Sequence, residues 1–271
     1  MRNVVASILT AGMFAAVSLA VTAPAIAEDA YQVWPGLKKD VFGPTEIAEE
    51  DGTISLEAPY RADDAAMVPL IMRMPAEIGP KVVKLTLIIE QNPAPVAASF
   101  AFGKGMGAGE RMISTRVRID MYSNVRVIIE TDDGKLHMTT KFVKASGGCS
   151  APAGKDMEEA LANLGKLQIK TYAPEGGTAT PTEAQVMMRH PNYTGMQMDP
   201  VTRNFTPAKF VTEMTVKSGE DLVFRLDGGI SISENPNFRF SYAPSGDGTI
   251  EVTAKDADGA SFSAKHTPKG S

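Results

Sequence analysis

The only cysteine among 271 residues, Cys149, lies in the run Lys144-Ala145-Ser146-Gly147-Gly148-Cys149-Ser150, and Ala151-Pro152-Ala153-Gly154 follow it. A thiol is nucleophilic as its thiolate and makes and breaks S–S bonds by exchange. A catalytic nucleophile needs a fixed orientation, a base within reach and donors for an oxyanion. The segment supplies none of these; Lys144 and Lys155 are merely the nearest cations. Gly147, Gly148 and Ser150 offer little apolar surface to wall in a sulfur, so the neighbours predict an exposed thiol on a pliable loop. An arm of Ala145, Ser146, Gly147, Gly148 and Ser150 around Cys149 suits a covalent carrier. It would hold a group on sulfur and present it to proteins that own the catalytic residues.

Other chemistry is scarce. His137, His190 and His266 are the only histidines, and none stands at metal-ligand spacing from a second donor, so no zinc site is expected. Met187, Met188, His190, Met196 and Met198 crowd into twelve residues. Thioethers bind Cu(I), which makes His190, Met196 and Met198 a candidate copper set. The alternative is that Met188 is core and that Met196 and Met198 pack a partner surface. The glycine-rich run 103–109 has the wrong spacing for a nucleotide loop and is expected to be a hairpin loop. No catalytic residue and no cofactor is assigned, beyond a sulfur adduct on Cys149.

Positioning falls to strands. Residues of one parity are apolar in Ile54 and Leu56, in Leu70, Met72 and Met74, and in Leu136, Met138 and Phe142. Ile113, Thr115, Val117 and Ile119 face one way while Ser114, Arg116 and Arg118 face the other. Val82–Ile89 is a dense apolar run, and Asp132-Asp133-Gly134 is a turn. Period-two patterning with turns every eight to twelve residues predicts antiparallel β-sandwiches. The last strand of this half runs straight into the cysteine segment. Residues 155–167 (KDMEEALANLGKL) have a helical apolar face, and the coil-forming Pro174-to-Pro181 stretch follows. Alternation resumes in Val186 and Met188, Phe210 to Val216, Leu222 to Leu226, Phe238 to Tyr242 and Ile250 to Ala254. The expected organisation is 28–150, a linker 151–182 and 183–271: an all-β chain of two sandwiches joined by a linker with one short helix.

The N-terminus reads as a secretory signal. Met1-Arg2-Asn3 is basic, an apolar run follows to about Val21, and Ala25-Ile26-Ala27 is a small-x-small site before Glu28. Removal of 1–27 would leave a periplasmic protein with no further span for a membrane. The formal net charge of −5 gives no reason to bind nucleic acid. In an oxidising compartment an unpaired cysteine is either a reactive thiol or a partner in a disulfide-linked homodimer.

Several stretches carry a resemblance. Val68-Pro69-Leu70, residues 88–102 (IIEQNPAPVAASFAF), Ser114-Thr115-Arg116-Val117-Arg118 and Gly147-Gly148-Cys149 resemble the SoxY carrier subunit of thiosulfate oxidation. Arg189-His190-Pro191, residues 205–211 (FTPAKFV) and residues 232–240 (ISENPNFRF) resemble SoxZ. The fused order is similar to SoxYZ-like carriers associated with quinoprotein dehydrogenases. The resemblance implies immunoglobulin-like sandwiches, Cys149 as the carrier thiol on a swinging arm, and a sulfur cargo ending in sulfonate. It also implies partners among periplasmic redox enzymes, such as a quinoprotein dehydrogenase or a c-type cytochrome. SoxY alone ends in Gly-Gly-Cys-Gly-Gly; here Ser150 replaces the next glycine and the chain continues, so the arm is tethered at both ends.

Overall fold

The computed structural model describes residues 33–152, 162–172, 182–199 and 202–268. The signal segment lies outside them, as do residues 155–161 of the predicted helix and Ala153 and Gly154 of the cysteine segment.

The first half carries eight strands: β1 (Ile47–Glu49), β2 (Ser55–Glu57), β3 (Val68–Met74), β4 (Val82–Ile89), β5 (Val96–Phe102), β6 (Arg111–Val117), β7 (Ser123–Thr131) and β8 (Leu136–Val143). The second half adds β9 (Leu167–Tyr172), β10 (Thr182–Met188), β11 (Val211–Ser218), β12 (Asp221–Gly228), β13 (Asn237–Tyr242), β14 (Ile250–Asp256) and β15 (Ser261–His266). The all-β, antiparallel-rich sandwich expected from period two is present. Burial alternates strictly in β3, from Val68 through Leu70 and Met72 to Met74, because successive side chains point to opposite faces.

The two halves are joined strand to strand in both layers. One sheet runs β1-β8-β7-β4-β5-β12-β11-β14-β15, the other β2-β3-β6-β13-β10-β9. In each, the first half ends and the second begins at one antiparallel pair. Phe102 to Ala98 of β5 lie opposite Phe224 to Gly228 of β12. Ile113 and Ser114 of β6 lie opposite Phe240 and Arg239 of β13. Between the layers, four buried rings meet across this seam: Phe100 lies 5.7 Å from Phe224 and 6.1 Å from Phe238, and Phe224 lies 5.0 Å from Phe240. Edge-to-face contacts of this kind add to the burial of each ring. One apolar core runs through both halves.

Three details depart from the sequence reading. The run 103–109 is not a hairpin loop: it crosses between layers, since β5 and β6 belong to different sheets. Gly103 is required there, because a Cβ would sit 2.2 Å from the Leu222 carbonyl oxygen. The predicted helix does not reach residue 167. Ala162 is helical, a turn follows, and Leu167 opens β9 inside the stretch expected to be linker. Leu167, Ile169 and Thr171 alternate, and their pairing with β10 outweighs the short helical face. Finally, Trp34–Phe42 forms a helix, α1, with Pro35 in its first turn. Trp34, Leu37 and Phe42 cover Ile88, Ile128 and Met138 on the outer face of the larger sheet.

A seam shared by both layers predicts one cooperative unfolding transition for the two halves. Phe224→Ala is expected to lower stability by about 3–5 kcal/mol, the usual loss for a buried ring. Calorimetry that resolved two independent transitions, with only one moved by Phe224→Ala, would contradict the shared core.

Candidate functional site: the cysteine loop

After Val143, β8 runs on as a single bridge. Lys144 N–H donates to the Tyr60 carbonyl at 2.7 Å, and Ala62 N–H donates to the Lys144 carbonyl at 3.1 Å. The chain then turns beneath the end of β6. Gly147 N–H donates to the Asp120 carbonyl at 2.7 Å and Gly148 N–H to the Ile119 carbonyl at 3.0 Å. Cys149 N–H donates to Asp120 Oδ1 at 3.2 Å. Arg118 Nη1 donates to the Gly148 carbonyl at 3.1 Å, and Thr194 Oγ1 donates to the Cys149 carbonyl at 2.7 Å. Thr194 belongs to the second half, so both halves grip the loop.

The expectation of a solvent-exposed thiol on a pliable arm is therefore overturned. Cys149 is 0 % exposed and Ala145 is buried, while Ser146 and Ser150 remain at the surface and Gly147 is half-buried. The two glycines serve tight docking. Gly147 has φ +77°, the left-handed region that penalises a side chain. At Gly148 a Cβ would lie 2.1 Å from the Ala65 carbonyl oxygen and 2.6 Å from that of Ile119. The absent apolar neighbours are replaced by close backbone and by buried polar groups, which local sequence does not reveal.

The electrostatics follow from this enclosure. Burial, with the Asp120 carboxylate adding to it, pushes the Cys149 thiol up to about 12, although the Arg118 guanidinium pulls the other way. At pH 7 the docked thiol therefore keeps its proton, whereas an ordinary thiol near 8.5 is a few per cent thiolate. Arg118 is itself buried, and burial lowers its pKa against the opposing pull of Glu234, Cys149 and Asp64.

A hydrogen-bond network fixes these groups, and Asn92 is its centre. Asn92 Nδ2 donates to the Arg118 carbonyl at 2.7 Å and to Ser231 Oγ at 2.9 Å, and Asp120 N–H donates to Asn92 Oδ1 at 2.9 Å. Arg118 N–H donates to the Ser231 carbonyl at 2.7 Å. Sequence reasoning alone does not mark Asn92, Arg118, Asp120 or Thr194 as site residues. The nearest signal is that Asn92 and Arg118 fall within the stretches 88–102 and 114–118.

The methionine-rich segment occupies buried and exposed positions. Met188 is core. His190 is buried, with Nδ1 accepting from Asn192 N–H at 3.1 Å and Nε2 facing Asp256 Oδ2 at 3.5 Å. Met196 is half-buried and Met198 is exposed in a bridge with Phe205, so the candidate copper set His190, Met196 and Met198 runs from the core to the surface.

Fold and site together define an all-β, two-module protein organised around one cysteine loop at a strand end. Comparison with known families gives two consecutive matches: Sulfur oxidation protein SoxY over residues 38–149, ending at the cysteine itself, and Sulphur oxidation protein SoxZ over residues 171–267. The chain belongs to the fused SoxYZ-like proteins, a SoxY domain followed by a SoxZ domain, and its domains are those of sulfur-oxidation carriers. Among solved structures it is similar to the sulfur carrier protein SoxY from Chlorobium limicola f thiosulfatophilum, at 25% identity over 41% of this chain and 89% of that one, with a TM-score of 0.33. A β-glycosidase from Bacteroides vulgatus matches at 8% identity over 79% of this chain and 24% of that one, with a TM-score of 0.23. No curated protein matches.

Docking of the loop sets two expectations. Alkylation of Cys149 by iodoacetamide at pH 7 should be far slower in the native protein than in urea, and Gly148→Ala, which cannot fit the docked loop, should raise the native rate by about 10² or more. The docked thiol keeps its proton up to about 12 and a released one only to about 8.5, so docking is independent of pH below 8.5 and weakens as pH rises through that window. Equal labelling rates for native and unfolded protein would refute the docked state.

Proposed function

We propose that this protein is a covalent carrier of sulfur cargo on Cys149, exported to the periplasm, whose loop alternates between the docked state and an undocked state offered to partner enzymes. One observation carries the reading: the single cysteine, at the end of the SoxY match, is held by reversible hydrogen bonds one layer below a surface marked by Ser146 and Ser150. Undocking returns the thiol to ordinary ionisation. Its thiolate then attacks the sulfane sulfur of a donor's S–S bond. A new S–S bond forms on Cys149 and the donor's other sulfur leaves with the electron pair, so no external oxidant is needed. The protein supplies no catalytic group; periplasmic redox enzymes, among them a c-type cytochrome, would load and unload the cargo. A disulfide-linked homodimer likewise requires the undocked state.

The intact mass of protein from its native host, kept non-reduced, should show adducts on the Cys149 peptide. They should disappear on reduction and be missing in Cys149→Ser. An always-free thiol, with Cys149→Ser fully active in the host, would end the carrier reading.

The burial of the sulfur favours a second reading, a non-covalent accessory protein for a quinoprotein dehydrogenase. Capture of that dehydrogenase by Cys149→Ser at undiminished yield, in the absence of any native adduct, would select it.

A further inference from the structure

On the outer side of the smaller sheet, where the two halves meet, lies a cleft of about 290 Å³. Three cations line it, each from a different element: Arg116 from β6, Lys166 just before β9 and Arg189 just after β10. No acidic residue is among its described lining, although the chain as a whole carries a net charge of −5. Among the described residues none of the three side chains forms an ion pair with a carboxylate. Arg116 Nη2 donates to the Asn235 carbonyl at 3.2 Å, and Lys166 Nζ donates to Asn163 Oδ1 at 2.6 Å.

Their approach is imposed by the backbone. Arg189 N–H donates to the Lys166 carbonyl at 2.9 Å, and Gly165 N–H donates to the Arg189 carbonyl at 2.8 Å. Gly165 sits at φ +79°, and a Cβ there would lie 2.1 Å from Phe262 Cδ1, so the turn that brings Lys166 beside Arg189 tolerates only glycine. Holding like charges together costs free energy unless an anion joins them. Asn237 accepts from Gln185 Nε2 through its side-chain oxygen at 2.9 Å, which leaves its amide NH₂ as a further donor on the cleft. The volume stands at the lower end of ligand sites and suits a small molecule. Guanidinium groups bind oxyanions through paired N–H donors.

We infer that this cleft is a binding site for a small tetrahedral dianion, separate from the cysteine loop and independent of whether Cys149 carries cargo. The test is titration of the full exported chain by calorimetry at fixed ionic strength, with sulfate, thiosulfate and phosphate as probes and chloride as the control. Saturable binding of at least one dianion, absent with chloride, is expected. Arg189→Ala with Lys166→Ala should weaken it by about tenfold or more, since two of three charged donors are lost. Both substituted side chains are exposed, and an unchanged thermal transition in the double variant keeps its fold out of the result. Cys149→Ser should bind as the parent does, which separates this site from the carrier reading. No saturable binding of any dianion, or binding unaltered in the double variant, would overturn the assignment.

Discussion

Everything at the cysteine loop depends on the seam at which β5 pairs with β12 and β6 with β13. Sheet edges are otherwise open rows of unpaired backbone groups, and here each layer closes one edge of the first half with an edge of the second. The rings of Phe100, Phe224, Phe238 and Phe240 fill the space between the two joins. Just past this join, Val117 and Ile232 form one more bridge, and Arg118 N–H reaches the Ser231 carbonyl. That contact carries Asn92, Ser231 and Asp120 into one hydrogen-bonded unit. Thr194 can close over Cys149 only because its half is locked to the half that carries the thiol.

The balance at the loop is close. Five hydrogen bonds hold Gly147, Gly148 and Cys149, each worth roughly 0.5–1.5 kcal/mol net. Ordering three residues costs roughly 1–2 kcal/mol each in backbone freedom. The undocked state proposed above would thus lie within a few kcal/mol of the docked one, an amount that contacts with a partner could offset. The glycines work on both sides of this balance. They are the only residues that fit the docked path at φ +77° and against the Ala65 carbonyl, and they regain the most freedom on release.

Most of the fold was legible because burial imposes period two on strands. Leu70, Met72 and Met74, or Phe238 and Phe240, announce a buried face without knowledge of any neighbour. Arg118 shows where that logic stops. Its parity with Ser114 and Arg116 predicts an outward side chain, but Arg118 lies just past the end of β6, where it is buried and bonded to the cysteine loop. Cys149 fails in the same way. Small neighbours exclude a pocket built from adjacent side chains, yet this one is built from Ala65, Ile119, Asp120 and Thr194, distant in sequence. Leu167 fits the helical face of residues 155–167 by spacing, and the partner strand that claims it lies beyond a coil-forming stretch.

The double tether changes what release of the thiol requires. A free C-terminal arm would swing from one end, whereas this loop must move out between two fixed points. On the N-terminal side the fixed point is Lys144, which is bonded to Tyr60 and Ala62 independently of the thiol contacts. Nothing in β8 needs to break for Gly147, Gly148 and Cys149 to leave the groove beside Ile119 and Asp120. On leaving, they strip a hydrogen bond from Arg118 and another from Thr194, and expose a buried guanidinium to water. In the proposed carrier cycle that cation would stand where the thiolate emerges, and opposite charge favours the ionised form. Arg118 already pulls the docked thiol toward ionisation against burial and the Asp120 carboxylate, and a loop that opened would shed the burial first.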